Sequence, residues 1–281
     1  MNNDLRHMSR AGKTFYFASL WLERSVRDKV AVAYTFCRTV DDLADDQAPG
    51  IERTRSLEDL LMALRERNGE HRIAGPMVRL IEEYPEIRDA TVDLVRSCAA
   101  DGPGIRIETE ADLVTYSHGV AGNVGLMMFP LLGGTDPRGR ALADDLGIAM
   151  QCTNIARDVL ADLENARVYL PREWLLTDDI RGILHGNAIV EASVVHAVHR
   201  VLEVGRVHYR RGLRGLRYLN PRSRLAIRIA ADCYAAIGER VIRDGKLVRH
   251  RAVVPLTRKV TVALRALQGR TPLASLSSGA R

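Results

Sequence analysis

The chain has 281 residues, 46% of them apolar, which is enough for one large domain or two small ones with a sizeable core. The formal charge is +6, yet residues 200–270 hold 18 Lys/Arg against 4 Asp/Glu, so the remainder is net acidic. Such asymmetry points to an anionic partner: a membrane surface, nucleic acid or a phosphorylated substrate.

Scarce aromatics and abundant Ala, Leu, Arg and Val favour helix over sheet. The four cysteines, Cys37, Cys98, Cys152 and Cys233, form no C-x-x-C pair, which argues against a structural zinc site and a disulfide framework. The first ten residues lack the apolar region of a signal peptide, and no run approaches the roughly 18–20 apolar residues of a membrane span. A cytosolic protein is expected, with any membrane contact peripheral and on the cytoplasmic face.

In chain order, the apolar patch Thr14–Trp21 fits strand or helix by periodicity. A helix is expected from an N-cap at Ser25 into the acidic cluster at Asp41-Asp42-Leu43-Ala44-Asp45-Asp46, ending near Pro49-Gly50. Ile51–Asn68 reads as an amphipathic helix, and Pro76 and Pro85 punctuate the next ones. Asp101-Gly102-Pro103-Gly104 reads as a turn. Thr109, with Asp112 three residues on, caps a helix expected to reach Leu132. Within it Gly119, Gly122 and Gly125 each cost roughly 1 kcal/mol against Ala, so they point to close helix packing or ligand approach. Gly133–Pro137 is a loop, Arg140–Asp162 a long helix, and Asp178–Gly186 a loop with a short turn. Glu191–Leu219, Ser223–Gly245 and Pro255–Leu267 complete the helices, and the Ser-rich tail 271–281 is expected to be disordered. No internal linker marks a boundary, so residues 1–281 read as a single all-α domain.

The chemistry sits in two stripes. Asn154, Asp158 and Asp162 recur every fourth residue, which a helix places on one face, and Asp41 and Asp45 share that spacing. A lone Asp-x-x-x-Asp pair is most often a solvated face. Here both pairs follow apolar, core-like segments, where carboxylates are costly unless a metal or base compensates them. Carboxylates and an amide are hard oxygen ligands of the kind that Mg²⁺ and Mn²⁺ prefer. No Glu has a His three residues later, which disfavours a di-iron site, and His196 and His199 lack acidic neighbours. No dinucleotide or P-loop glycine pattern occurs. The basic run Arg206, Arg210, Arg211, Arg214, Arg217 reads as a solvated face or as an anionic-lipid contact. Nucleic acid is not an expected partner, because no aromatic interleaving accompanies the charge.

Four ordered motifs then carry a resemblance: Lys13-Thr14-Phe15-Tyr16, Tyr34 through Asp46, Tyr116–Met128 and Leu146–Leu170. Across about residues 9–260 the chain resembles the squalene/phytoene synthase family of head-to-head prenyl transferases, in particular its bacterial phytoene synthases. The resemblance implies a single all-α isoprenoid-synthase bundle around a central cavity. It implies an Mg²⁺ site (Mn²⁺ as a substitute) of Asp41, Asp45, Asn154, Asp158 and Asp162, the four aspartates being catalytic. Arg38, Arg157 and Arg251, with Lys13, would bind diphosphate, a task that suits guanidinium forks. Tyr34, Tyr116, Tyr169, Gln151 and Tyr234 would line the cavity, Tyr234 as a catalytic candidate. Ser117 and Ala156 depart from the family's usual Cys and Leu, which bears on substrate shape rather than chemistry.

The implied reaction joins two geranylgeranyl diphosphates through a cyclopropyl diphosphate to phytoene, releasing pyrophosphate and needing no NADPH. The small residues Ser19 and Ala31 lean towards C20 substrates. A C15 enzyme making squalene, presqualene diphosphate or dehydrosqualene from farnesyl diphosphate is the alternative. A non-catalytic, membrane-associated helical adaptor is the second alternative, and the intact Asp, Asn and Arg positions speak against it.

Overall fold

Each long apolar-periodic segment forms a helix, and the helices pack as one bundle. The computed structural model of the protein describes residues 3–45, 50–102, 104–244 and 255–267. Asp46, Arg251 and the 271–281 tail lie outside the described residues. The first helices are α1 (Asn3–Ala11), α2 (Lys13–Ser19), α3 (Arg24–Asp45), α4 (Gly50–Arg65), α5 (Ala74–Glu83) and α6 (Arg88–Ala100). They are followed by α7 (Glu110–Ser117), α8 (Asn123–Leu131), α9 (Pro137–Glu164), α10 (Ala188–Gly215), α11 (Pro221–Asp244) and α12 (Leu256–Leu267). Among the described residues the one extended pairing is an isolated parallel bridge between Arg106 and Val168. No described helix is long and apolar enough to cross a membrane.

The apolar patch that fitted either strand or helix is helical, because α2 buries Phe15 and Ala18 against Ile229, Ala230 and Cys233 of α11. Seven residues are too few for periodicity to decide; the tertiary contact does. Ser25 is not the cap of α3: the helix is already hydrogen-bonded from Glu23, whose carbonyl accepts from the Arg27 amide at 2.8 Å. The Thr109 cap forms as expected, with a reciprocal Thr109–Asp112 capping box. Asp136 caps α9 and Pro137 occupies its first turn, so that helix starts three residues earlier than its apolar pattern suggests. All four cysteines are free thiols.

The stretch expected to be one helix over 109–132 is interrupted by a π turn at His118–Gly122. Such a turn widens the backbone and frees a carbonyl; here the buried Asn123 amide donates to Gly119 O at 3.0 Å. The glycines explain the geometry. A Cβ on Gly122 would sit 2.0 Å from Asp144 Oδ1, one on Gly125 2.1 Å from Ala143 O, and one on Gly147 2.2 Å from Ala121 O. Here α8 and the π turn lie backbone-to-backbone on α9, and the glycines serve close packing.

Helix α9 is central, with α8, α10 and α11 packed against it. One apolar cluster includes residues of α1, α3–α6 and α8; a second joins α9 and α10 to Leu170, Trp174, Ile180 and Ile183. A cavity of about 1190 Å³ opens within the bundle, lined from α2, α3, α8, α9 and α11.

Candidate active site

Asp41 and Asp45 on α3, and Asn154, Asp158 and Asp162 on α9, all line this cavity. The four-residue spacing works as helical geometry requires, since each helix turns one stripe inward. The two stripes meet at one end, where the Asp162 carboxyl senses the charges of Asp158, Asp101 and Asp45. Burial, then repulsion from Asp158, pushes Asp162 up to about 7. Burial, then Asp45, pushes Asp41 up to about 6, although half of its side chain faces open cavity space.

Arginines hold these carboxylates. Arg38 donates to Asp41 at 3.0 Å and pairs with Asp42 at 2.5 Å. Arg157 is nearly buried and forks onto Asp158, with Nε donating at 2.7 Å. Arg167, just past α9, pairs with Asp45 and donates to Ala44 O at 3.1 Å, clasping the end of α3 to the end of α9. Among the described residues, no three His, Cys, Asp or Glu side chains converge into a preformed metal centre. The donor set nevertheless fits a hard divalent cation. It is all oxygen, its carboxylates repel one another, and Asn154 Oδ1 is buried with no hydrogen-bond partner while its amide nitrogen donates to Gln151 at 3.1 Å.

The remaining sequence-derived residues that the structure describes come to the same cavity. Lys13 is exposed at its lining, and Arg38, Gln151 and Arg157 lie along it. Tyr34 and Tyr234 line it on either side of Phe15, with ring centroids 5.8 and 5.2 Å from that ring. Burial raises Tyr34 to about 12, so its hydroxyl stays protonated. Gly12 lets the chain pass close to Tyr34, since a Cβ there would fall 2.3 Å from the Tyr34 hydroxyl. Tyr116 and Tyr169 stack with centroids 4.8 Å apart. Ser19 lines the cavity, whereas Ala31 is buried in the apolar core outside it.

Two further residues emerge only from tertiary structure. Asp101, which reads in sequence as a turn former, is buried and accepts hydrogen bonds from Tyr116 at 2.7 Å and Tyr169 at 2.8 Å. Burial raises its pKa in spite of the two phenol donors. Lys259 on α12 is buried and lines the cavity, and burial, with repulsion from Lys13, lowers its pKa. Neither carries a sequence signal of its own: one stands before Gly-Pro-Gly, the other in a generally basic segment.

The volume exceeds the roughly 300–1,000 Å³ of ordinary small-molecule pockets. Leu94, Met128, Phe129, Leu132, Leu216 and Leu219 line its apolar part, while carboxylates, arginines and tyrosines crowd the other. Such a cavity can hold long hydrocarbon chains by one part and anionic heads by the other.

Comparison with known proteins agrees. The squalene/phytoene synthase family model matches residues 8–259. The phytoene synthase of Cereibacter sphaeroides is 33% identical over 254 residues, 85% of this chain and 71% of that protein. The 15-cis-phytoene synthase of Enterobacter agglomerans is 31% identical over 249 residues, 85% of this chain and 84% of its own. A crystal structure of a dehydrosqualene synthase in complex with ligand superposes with a TM-score of 0.79 at 25% identity, covering 95% of this chain and 94% of that one. The chain belongs to the squalene/phytoene synthase family.

Proposed function

We propose that the protein is a prenyl transferase that condenses two geranylgeranyl diphosphates head-to-head to phytoene, as a step in carotenoid formation. The observation that carries this is the meeting of two acidic stripes and three arginines at one end of a large apolar cavity. Relatives named phytoene synthase support C20 chemistry over the C15 alternative, which the similarity to a dehydrosqualene synthase structure keeps as the second reading.

Asp41, Asp45, Asn154, Asp158 and Asp162 would hold Mg²⁺, or Mn²⁺ in its place. Bound there, the metal supplies charge stabilisation for pyrophosphate as it leaves. Arg38 and Arg157, paired here with Asp41, Asp42 and Asp158, would offer guanidinium donors to the same oxygens, and Lys13 and Lys259 would add cationic charge along the lining. The first half-reaction breaks the C1–O bond of one substrate; the double bond of the other attacks that carbon, and proton loss leaves a cyclopropyl diphosphate. The second breaks the remaining C–O bond, rearranges the carbon skeleton and loses another proton. Two pyrophosphates and two protons depart, and no reductant is consumed, so NADPH is not required. Apolar side chains exclude water from the allylic cations. Tyr116 and Tyr169 turn their hydroxyl protons to Asp101, which fixes the direction of both phenol dipoles at the cavity wall.

The test is incubation of purified protein with Mg²⁺ and labelled C20 or C15 diphosphate, with and without NADPH. Phytoene from the C20 substrate without NADPH is the expected product. A C15-derived hydrocarbon in its place would establish the second reading. Absence of pyrophosphate release from either substrate would refute an enzyme of this class.

A further inference from the structure

Helices α2 and α12 share an inner and an outer role. Inside, Lys13, Phe15 and Ser19 of α2 and Lys259 of α12 line the cavity. Both helices pack on the same residues of α11, Ile229, Ala230 and Cys233, which Val262 and Ala263 of α12 cover. Outside, α12 leaves Val260, Leu264 and Leu267 44%, 54% and 57% exposed at i, i+4 and i+7, a continuous apolar stripe. Leu20, at the end of α2, is 49% exposed next to Trp21.

Charge says what covers this face. Helix α12 carries Arg258, Lys259 and Arg265 and no Asp/Glu. Arg265 is exposed beside the stripe, and Arg10 and Lys13 are exposed at the cavity lining nearby. Two other surfaces have only half of this combination. The run Arg210, Arg211, Arg214, Arg217 on α10 and just beyond it is exposed, but its leucines turn inward: Leu216 and Leu219 are buried and Leu213 partly so. Leu176 and Ile189 are exposed, but beside Asp178 and Asp179, which an anionic surface repels. Interfacial helices need apolar insertion and cationic charge together.

We propose that the α2/α12 face docks on an anionic lipid bilayer. The cavity then lies one helix layer from the bilayer surface, behind Lys13 and Lys259.

The test is co-sedimentation with vesicles, in the absence of any prenyl substrate, so that its outcome is independent of the prenyl-transferase reading. Wild type is expected to bind phosphatidylglycerol-containing vesicles, to release with rising salt, and to bind pure phosphatidylcholine weakly. Leu264→Glu with Leu267→Glu should reduce partitioning about tenfold or more, and Leu176→Glu should leave it unchanged. A second measurement adds no charge to the face: vesicles of brominated phosphatidylglycerol should quench Trp21 (in Trp174→Phe) and spare Trp174 (in Trp21→Phe). Wild type that fails to sediment with anionic vesicles, a Leu264/Leu267 variant that partitions normally, or quenching of Trp174 in place of Trp21 would each overturn the proposal. A wild-type dimer that the same double variant dissociates would also overturn it, by assigning the face to a second copy of the chain.

Discussion

Tyr116 and Tyr169 stack with ring centroids 4.8 Å apart and send both hydroxyls to one carboxylate, that of Asp101. The three groups come from separate places: the end of α6, α7 and the segment after α9. Burial, then the Asp101 charge, raises the pKa of both phenols, so they remain hydrogen-bond donors to that carboxylate. Asp101 positions them; they face the cavity. Asp101→Asn keeps the volume and removes the shared charged acceptor. Losing hydrogen bonds to a charged group is worth about 1.5–3 kcal/mol, so kcat should fall about 10–100-fold. KM should change little, because the loss is in the transition state. A variant with wild-type kcat, or one that alters only KM, would remove Asp101 from this role.

The Arg167–Asp45 pair makes a different demand. It ties the last turn of α3 to the chain leaving α9, and the guanidinium also caps Ala44 O. Asp45 is about half exposed, so the stability at stake is modest, about 1–2 kcal/mol. The functional loss should be larger, since the two acidic stripes are then free to separate. Arg167→Ala should lower activity by more than its Tm shift suggests. Arg167→Lys should recover stability but not activity, because an ammonium cannot fork. Full activity in Arg167→Lys would show that charge alone suffices.

The acidic stripes were legible in the sequence because helical spacing is a local property: Asp41 with Asp45, and Asn154 with Asp158 and Asp162, needed only periodicity to share a face. Asp101 and Lys259 were not, because their significance comes from residues far away in the chain; Asp101 meets Tyr116 across 15 residues and Tyr169 across 68. The path of α2 was hidden for a related reason, since its seven residues take their helical form from packing on α11. The glycines at 119, 122 and 125 announced close approach but not its partner, which is the backbone and side chain of α9 for the last two and Ser97 for the first.

That close approach predicts the behaviour of Gly147. In an open helix Gly→Ala gains about 1 kcal/mol. Here the new methyl would lie 2.2 Å from Ala121 O and 2.7 Å from its carbonyl carbon, and neither is the end of a flexible side chain. Overpacking of about 1–3 kcal/mol outweighs the propensity gain. Gly147→Ala should therefore lower Tm by several degrees, at about 2–4 °C per kcal/mol for chains near this size. Gly69→Ala, with nothing within 4 Å of its Cβ, is the control. An unchanged or raised Tm in Gly147→Ala would mean that the π turn and α9 are not held this closely.

The raised carboxyls fix the sign of a pH effect. Asp162 titrates at about 7 and Asp41 at about 6, against about 3.9 for an unfolded aspartate. Below about pH 4 both states are protonated and the groups contribute nothing to the pH slope. Between there and pH 7 the folded state retains protons that the unfolded state has lost, so stability falls as pH rises through the folded values. A divalent cation binding these carboxylates must displace the same protons, so its affinity rises over the same range. Thermal unfolding should therefore show metal-free protein losing Tm from pH 5 to pH 8, and the Tm gain from saturating Mg²⁺ should grow over that interval. Asp162→Asn should flatten the metal-free slope and shrink the Mg²⁺ gain together. A Tm gain that is equal at pH 5 and pH 8, or that survives intact in Asp162→Asn, would place the metal elsewhere.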